Sequence, residues 1–224
     1  MLLEELRKEI VFYGQEMLKS GLTMHTGGNL SARDPKTGLI VIKPTSLPYR
    51  TMRPEDVPVI DENGKMIDGS LKPSSEWPMH TMIYQAMPRV MGIVHDHSIH
   101  ATACSVADIE IPLIMHEICI YCSSPVKVAA FEVPGTPELG QSALKYLGDN
   151  DIVLLGQHGP LAVGATLWHA FDAACAVEQA ASMLLVARQL GGTVSPVPST
   201  GRKALRSADP LLGPDGQPPE IKAV

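Results

Sequence analysis

The chain has 224 residues, a length that accommodates one domain or at most one and a half. Its formal net charge of −6 argues against a nucleic-acid-binding protein, because phosphate neutralisation needs an excess of Lys and Arg. With 45% hydrophobic and 19% charged residues the composition excludes wholesale disorder, and no uninterrupted apolar run approaches the roughly 20 residues of a membrane span.

The N-terminal part of the chain predicts a helix followed by a meander of short strands. Apolar residues at helical spacing indicate a helix over the first twenty residues, with Gly21 as its C-terminal stop. The first nine residues include acids where a signal peptide would carry positive charge, which predicts a cytoplasmic protein. A polar, glycine-bearing loop follows, and strands are then expected at 30–33, 39–43 and 57–61.

Helices and short strands alternate through the rest of the chain. Helices are expected at 74–87, from about residue 98, at 136–148 and at 166–191, and strands at 90–95, 126–131, 152–156 and 161–163. This order predicts an α/β or α+β domain with a mixed sheet over residues 1–192. Six prolines and four glycines mark residues 193–224 as a tail with little material for a core of its own.

Three histidines indicate a metal site. His95 and His97 form a His-Asp-His sequence at the end of the expected strand 90–95, and residues two apart in an extended backbone point to the same side. His158 follows the expected strand 152–156 in a similar position. Three imidazoles with an open fourth position are typical of a catalytic zinc site. The alternative interpretation of His95 and His97 is a pair of unconnected surface histidines.

One acidic residue and several small polar residues are further candidates. Glu76 lies in the first turn of the expected helix 74–87, where a carboxylate usually does no more than interact with the helix dipole. Near a metal ion it could instead be a fourth ligand or a proton-transfer group. Small hydrogen-bond donors that together could form a neutral phosphate pocket, without Arg, occur at Thr26-Gly27-Gly28-Asn29, Thr45-Ser46 and Ser74-Ser75.

The remaining histidines are interpreted mainly as structural. This group contains His25, His100, His116 and His169. His80 lies four residues after Glu76 on the same helical face, but Glu-x-x-x-His is not the His-Glu-x-x-His sequence of zinc peptidases. A peptidase is therefore rejected.

Five motifs, in this order along residues 3–190, resemble the class II aldolase/adducin family, which includes L-fuculose-1-phosphate aldolase and L-ribulose-5-phosphate 4-epimerase. They are Thr26-Gly27-Gly28-Asn29-Leu30-Ser31, Lys43-Pro44-Thr45-Ser46, Pro73-Ser74-Ser75-Glu76, His95-Asp96-His97-Ser98 and Gln157-His158-Gly159. The resemblance implies a three-layer α/β/α sandwich on a mixed, mostly antiparallel central sheet. It also implies a cyclic homotetramer with active sites between neighbouring subunits.

The resemblance also implies a role for each candidate residue. His95, His97 and His158 match the zinc ligands of the family, and Glu76 matches the acidic residue that binds the metal at rest and moves a proton during turnover. The positions that match phosphate binding, with their neighbours, are Thr26, Gly28, Asn29, Thr45, Ser46, Ser74 and Ser75. One Zn²⁺ per subunit is expected, with Mn²⁺ or Co²⁺ as other options.

The implied activity is cleavage of a ketose 1-phosphate, reversibly, to dihydroxyacetone phosphate and an aldehyde. Glutamate at position 76, where the 4-epimerases of the family have aspartate, favours cleavage over epimerisation. In fuculose-type aldolases a tyrosine aligned with 113–117 is the proton donor on the aldehyde side, and here His116 lies near that place while Tyr121 could substitute. The Met, Ile and Cys content of 111–122 suits a less polar aldehyde, such as a 5-deoxy or 5-methylthio compound.

Other activities share the same motifs. A methylthioribulose-1-phosphate dehydratase, a sugar-phosphate 4-epimerase and a decarboxylase are alternatives within the family. A non-catalytic binding module like the head domain of adducin would lack the metal ligands. The presence of all three histidines and Glu76 therefore favours an enzyme that acts on a small sugar phosphate and binds neither nucleic acid nor membrane.

Overall fold

An eight-stranded sheet forms the centre of the computed structural model, which describes residues 1–207. The strands are β1 (Asn29–Arg33), β2 (Ile40–Ile42), β3 (Val59–Ile60), β4 (Met66–Asp68), β5 (Gly92–His95), β6 (Val128–Ala129), β7 (Ile152–Leu155) and β8 (Gly159–Gly164). Their spatial order is β4-β3-β2-β1-β5-β8-β7-β6. Only the β6–β7 pair is parallel among these strands, so the expected mixed, mostly antiparallel sheet is confirmed.

Helices cover both faces of the sheet. They are α1 (Glu4–Lys19), α2 (Trp77–Ala86), α3 (Ile99–Val106), α4 (His116–Tyr121), α5 (Pro137–Leu147), α6 (Leu167–Gln189) and α7 (Ser199–Ser207). Alternate strand residues point to opposite faces, so Val94 joins the hydrophobic cluster under α1, α3, α4 and α6, whereas Ile93 joins the cluster under α2 and α5. The three-layer sandwich is thus confirmed.

Several boundaries differ from the expected ones. The strands expected at 57–61 and 126–131 are two residues each, because Pro58 has no N–H for a ladder and Val126 instead bridges to Ile111. The structure also contains β4, α4 and α7, which the sequence pattern did not reveal. Each of these three elements is short, and a short element gives little periodicity to detect.

The first part of the expected tail packs against the domain. The backbone N–H of Val197 donates to the carbonyl of Leu113 at 2.7 Å, and α7 lies against α4. The division of the chain at residue 192 stays a prediction. Residues 208–224 lie outside the described part of the chain.

Helix α6 is long and apolar enough to cross a membrane by length and composition alone. One of its faces packs against β5 and β8 of the central sheet, and another part contacts α3. These contacts identify α6 as a core helix of the sandwich.

The strand register brings distant segments to one end of the sheet. Asn29 at the start of β1 pairs with His95 at the end of β5, which in turn pairs with Leu161 near the start of β8. A second pairing brings in the segment before α2, where the N–H of Ser74 donates to the carbonyl of Lys43 at 2.9 Å. All five expected motifs therefore meet at this end of the sheet.

Candidate active site

Three imidazole rings converge at the end of the central strands. The Nε2 atom of His95 lies 3.2 Å from Nε2 of His158 and 3.2 Å from Nε2 of His97. A tetrahedral ion with metal–nitrogen distances of about 2.0–2.1 Å would hold its ligand nitrogens about 3.4 Å apart. The three histidines therefore have the spacing of ligands to one ion, as their sequence positions predicted.

The environment keeps these rings in the form that binds metals. The Nδ1–H of His95 donates to the carbonyl of Pro160 at 2.9 Å, which leaves the lone pair on Nε2. Burial lowers the pKa of His95 well below its usual value, and the neighbouring His158 and His97 lower it further. Burial also lowers the pKa of His97 and of His158. All three rings are thus held neutral, with nitrogen lone pairs directed at a common point.

Glu76 completes the set of donor atoms. Its two carboxylate oxygens lie 3.5 Å from Nε2 of His95 and 3.4 Å from Nε2 of His158. Glu76 is the N-cap residue of α2, one position before the helix, instead of lying in its first turn as expected. The side-chain amide of Asn29 donates to its Oε2 atom at 2.5 Å. Three neutral imidazoles and one carboxylate fit a divalent transition metal ion.

Two glycines permit the close backbone approach that this site requires. Gly28 has a φ of +65°, and a Cβ atom there would lie 2.5 Å from the carbonyl oxygen of His95. A Cβ atom on Gly159 would lie 2.2 Å from the carbonyl oxygen of Asp96. Any side chain at either position would push the segments before β1 and around β8 away from the histidines.

A cavity of about 190 Å³ opens beside the histidines and Glu76. It is lined by all seven residues expected to bind phosphate or to lie beside that site, namely Thr26, Gly28, Asn29, Thr45, Ser46, Ser74 and Ser75. His97, His158 and Glu76 also line it. The structure thus brings the predicted metal and anion residues into one continuous site.

The cavity is not neutral, because Lys43 also lines it. Its ammonium group lies 3.1 Å from the carbonyl oxygen of Pro44 and 4.7 Å from the ring centroid of Tyr49. Burial lowers the pKa of Lys43 to about 8. The expectation of a pocket without a cation was wrong: Lys43 ends the expected strand 39–43, where its side chain was taken only as part of a motif.

The two candidates for the aldehyde side lie elsewhere in the chain. Tyr121 is buried at 1% exposure, and its hydroxyl donates to the carboxylate of Asp172 on α6. His116 begins α4 with its side chain 68% exposed, 3.2 Å from the carboxylate of Glu117. Neither side chain lines the cavity of its own chain. The structure does not bring them to the histidines, and their roles stay predictions.

Comparison with known proteins gives a consistent result. The family model for the class II aldolase and adducin N-terminal domain matches residues 8–185. A 5-deoxy-D-ribulose 1-phosphate aldolase of Bacillus thuringiensis serovar kurstaki is 36% identical over 191 residues, covering 85% of this chain and 89% of that protein. An L-ribulose-5-phosphate 4-epimerase of Salmonella paratyphi C is 33% identical over 206 residues, covering 87% of this chain and 90% of the relative.

The fold also matches solved structures. An L-fuculose 1-phosphate aldolase superposes with a TM-score of 0.87 at 30% identity, covering 92% of this chain and 97% of that one. A sugar-phosphate aldolase from Thermotoga maritima has a TM-score of 0.77 at 24% identity and covers 89% of this chain and 100% of its own. At that lower identity the second match shows the fold alone.

Proposed function

The chain belongs to the class II aldolase and adducin family, and we propose that it is a metal-dependent aldolase (an aldehyde-lyase). It cleaves a ketose 1-phosphate reversibly to dihydroxyacetone phosphate and an aldehyde. The observation that carries this proposal is the convergence of His95, His97, His158 and Glu76 beside a cavity lined by small donors and one lysine. The dehydratase and decarboxylase alternatives share these residues.

The two halves of the site suit the two ends of such a substrate. Hydroxyl groups of Thr45, Ser46, Ser74 and Ser75 and the ammonium group of Lys43 line the cavity and can hold the phosphate. Fixing the phosphate there positions the carbonyl carbon and its hydroxyl-bearing neighbour toward the histidines, which reduces the entropy lost in reaching the transition state.

Proton transfer to carbon is the role of Glu76. When bound by the three histidines, a divalent metal ion supplies positive charge that polarises the substrate carbonyl. In the condensation direction the carboxylate of Glu76 removes a proton from the hydroxyl-bearing carbon of dihydroxyacetone phosphate. That carbon forms the new bond to the aldehyde carbon, and the aldehyde oxygen takes up a proton from a donor on its own side. Cleavage is the reverse, so no proton is gained or lost overall.

We propose Zn²⁺, one ion per subunit, as the metal. Three imidazole nitrogens and one carboxylate oxygen at tetrahedral spacing suit Zn²⁺, which needs no redox partner. Mn²⁺ and Co²⁺ accept the same ligands and are the alternatives. Elemental analysis of the purified protein distinguishes the three, and stoichiometric Mn²⁺ or Co²⁺ would replace the zinc proposal.

We propose a 5-deoxy or 5-methylthio ketose 1-phosphate as the substrate class. The similarity to a 5-deoxy-D-ribulose 1-phosphate aldolase supports this choice. The apolar composition of residues 111–122 does not, because Ile111, Leu113, Ile118 and Cys119 pack in the hydrophobic core instead of facing the cavity. The sequence-based reason for a less polar aldehyde was therefore wrong, although the proposal itself stands on the relative.

The aldolase proposal is tested with a panel of four substrates. Release of dihydroxyacetone phosphate is followed by its NADH-dependent reduction with 5-deoxyribulose 1-phosphate, methylthioribulose 1-phosphate and fuculose 1-phosphate, and epimerisation is followed with ribulose 5-phosphate. We expect the highest kcat/KM with the two deoxygenated substrates and complete loss of activity after chelation. A preference for fuculose 1-phosphate would reject the substrate class. Epimerisation without cleavage would reject the aldolase, and loss of water from methylthioribulose 1-phosphate would favour the dehydratase.

We propose that the protein assembles as a cytoplasmic homotetramer with active sites at the subunit interfaces. Exposure of His116 at the start of α4 supports this, because an exposed ring can reach the cavity of a neighbouring subunit. No nucleic acid or membrane partner is proposed. Sedimentation equilibrium should give four times the mass of the chain, and a monomer that retains full activity would contradict interfacial sites.

Substitution of Lys43 is expected to weaken substrate binding. Loss of one charge-assisted contact to the phosphate should raise KM about tenfold or more in Lys43→Met. Burial lowers the pKa of Lys43 to about 8, so the ammonium group is charged below that pH and loses its charge above it. In the free enzyme, kcat/KM should therefore fall as pH rises through about 8.

The Lys43→Met variant should lack this alkaline decrease in kcat/KM. The matched control is Lys36→Met, because Lys36 is exposed in the turn between β1 and β2. It should have the kinetic constants and the pH profile of the unaltered chain. An unchanged KM in Lys43→Met would remove the lysine from phosphate binding.

A further inference from the structure

A chain of five buried hydrogen-bonding side chains runs from Glu76 into the protein. Glu76, His80 and Tyr84 are four residues apart and so share one face of α2, while Asn29 and Ser31 are two apart on β1. The two sets interleave between the helix and the sheet. His80 and Ser31 are fully buried, and the other three members are at most 6% exposed.

Every link of this chain has hydrogen-bonding distance. The amide nitrogen of Asn29 lies 2.5 Å from Oε2 of Glu76, and its amide oxygen lies 2.5 Å from Nε2 of His80. The Oγ atom of Ser31 lies 2.7 Å from Nδ1 of His80 and 2.8 Å from the hydroxyl of Tyr84. Both ring nitrogens of His80 are therefore engaged, one on the side of the active site and one on the side of the core.

The carboxylate fixes the direction of donation along the chain. An ionised carboxylate only accepts, so the amide of Asn29 must turn its NH₂ group toward Glu76 and its oxygen toward His80. That oxygen also only accepts, so His80 must carry its proton on Nε2. Nδ1 then accepts from Ser31, whose oxygen accepts from Tyr84. All donors therefore point toward Glu76.

We propose that His80 is a positioning residue for the proton-transfer carboxylate, acting through Asn29. This inference rests on the proposed function of Glu76. Without the Nε2–H group of His80, nothing in the described part of the chain holds the amide oxygen of Asn29 away from Glu76. A rotated amide would place an oxygen against the carboxylate and push Glu76 from its place beside the histidines.

The surroundings of His80 favour this role over that of an ordinary buried histidine. Burial lowers the pKa of His80 to about 3, so the ring is neutral and has a single N–H to give. The Nε2–H group is aimed at a residue that itself lines the cavity, while the core side of the ring is satisfied by Ser31. The guanidinium group of Arg33 lies 5.0 Å from the ring centroid of Tyr84 and closes the chain at its far end.

A matched pair of variants tests the proposal. The longer amide of His80→Gln can donate from the position of Nε2, whereas the shorter amide of His80→Asn reaches only the position of Nδ1. We expect kcat to fall about tenfold or more in His80→Asn, with KM changing less than about threefold, and to stay within about threefold in His80→Gln. Equal kcat values for both variants would overturn the proposal.

A measurement on the unaltered chain gives a readout apart from activity. Long-range ¹⁵N–¹H correlation spectra of the metal-free protein report which ring nitrogen of His80 carries the proton. We expect the Nε2–H tautomer, and the Nδ1–H tautomer would overturn the proposal even if a variant fails to fold. Absence of aldolase activity in the unaltered chain would instead reject the proposed function, while the tautomer would still report the hydrogen-bond chain.

Discussion

Replacement of Glu76 by glutamine is expected to lower kcat for aldol cleavage by about 10²- to 10⁴-fold, the usual contribution of a general acid–base group. The amide has the shape of the carboxyl group but cannot take up or give the proton on carbon. Its oxygen can still accept the hydrogen bond from Asn29, and the three histidines remain. The fold and most of the metal binding should therefore be retained. Steady-state kinetics with the preferred ketose 1-phosphate measure the effect.

The control for this substitution is Glu62→Gln, an isosteric change at an exposed residue of the turn between β3 and β4. It should leave kcat unchanged. Thermal unfolding and metal content of Glu76→Gln separate a chemical defect from loss of the fold or the ion. A kcat within about twofold of the unaltered chain would remove Glu76 from the mechanism.

Replacement of His158 by alanine is expected to weaken metal affinity more than about 100-fold, beyond the effect of losing an outer-shell partner. Activity at limiting metal should fall with the metal content. His158 is the suitable ligand to remove, because its side chain is only 13% exposed yet its Nδ1 atom makes no hydrogen bond within residues 1–207. Its loss therefore disturbs the fold less than loss of the fully buried His95. Competition with a chromophoric chelator measures the affinity.

His116→Ala provides the matched histidine control for metal binding. The ring of His116 is 68% exposed and does not line the cavity of its own chain. This variant should bind metal with unchanged affinity, whatever its effect on turnover. If His158→Ala also keeps full affinity, the third ligand has been assigned wrongly.

The metal ligands could be predicted from the sequence because strand geometry is local. His95 and His97 have the two-residue spacing of a strand, and His158 follows a second apolar strand. The pairing of β5 with β8 could not be read from these patterns, since strand order depends on contacts between distant segments. Family resemblance supplied that missing step, and the register of Asn29 with His95 then places the motifs together.

The residues that the sequence did not reveal act through tertiary contacts. Lys43 became part of the cavity because the strand that carries it turns its side chain inward under Thr26. The spacing of Glu76 and His80 was visible, but their link through Asn29 exists only after α2 packs against β1. Tyr121 was chosen for its proximity in sequence, and its burial against Asp172 reflects packing against α6.

The most direct test of the site is the metal itself, measured by X-ray absorption at the zinc edge on the purified protein. We expect one ion per subunit with three imidazole nitrogens at about 2.0–2.1 Å and an oxygen ligand that is altered in Glu76→Gln. A protein that binds no stoichiometric divalent metal, or binds one through cysteine sulfur, would contradict the account.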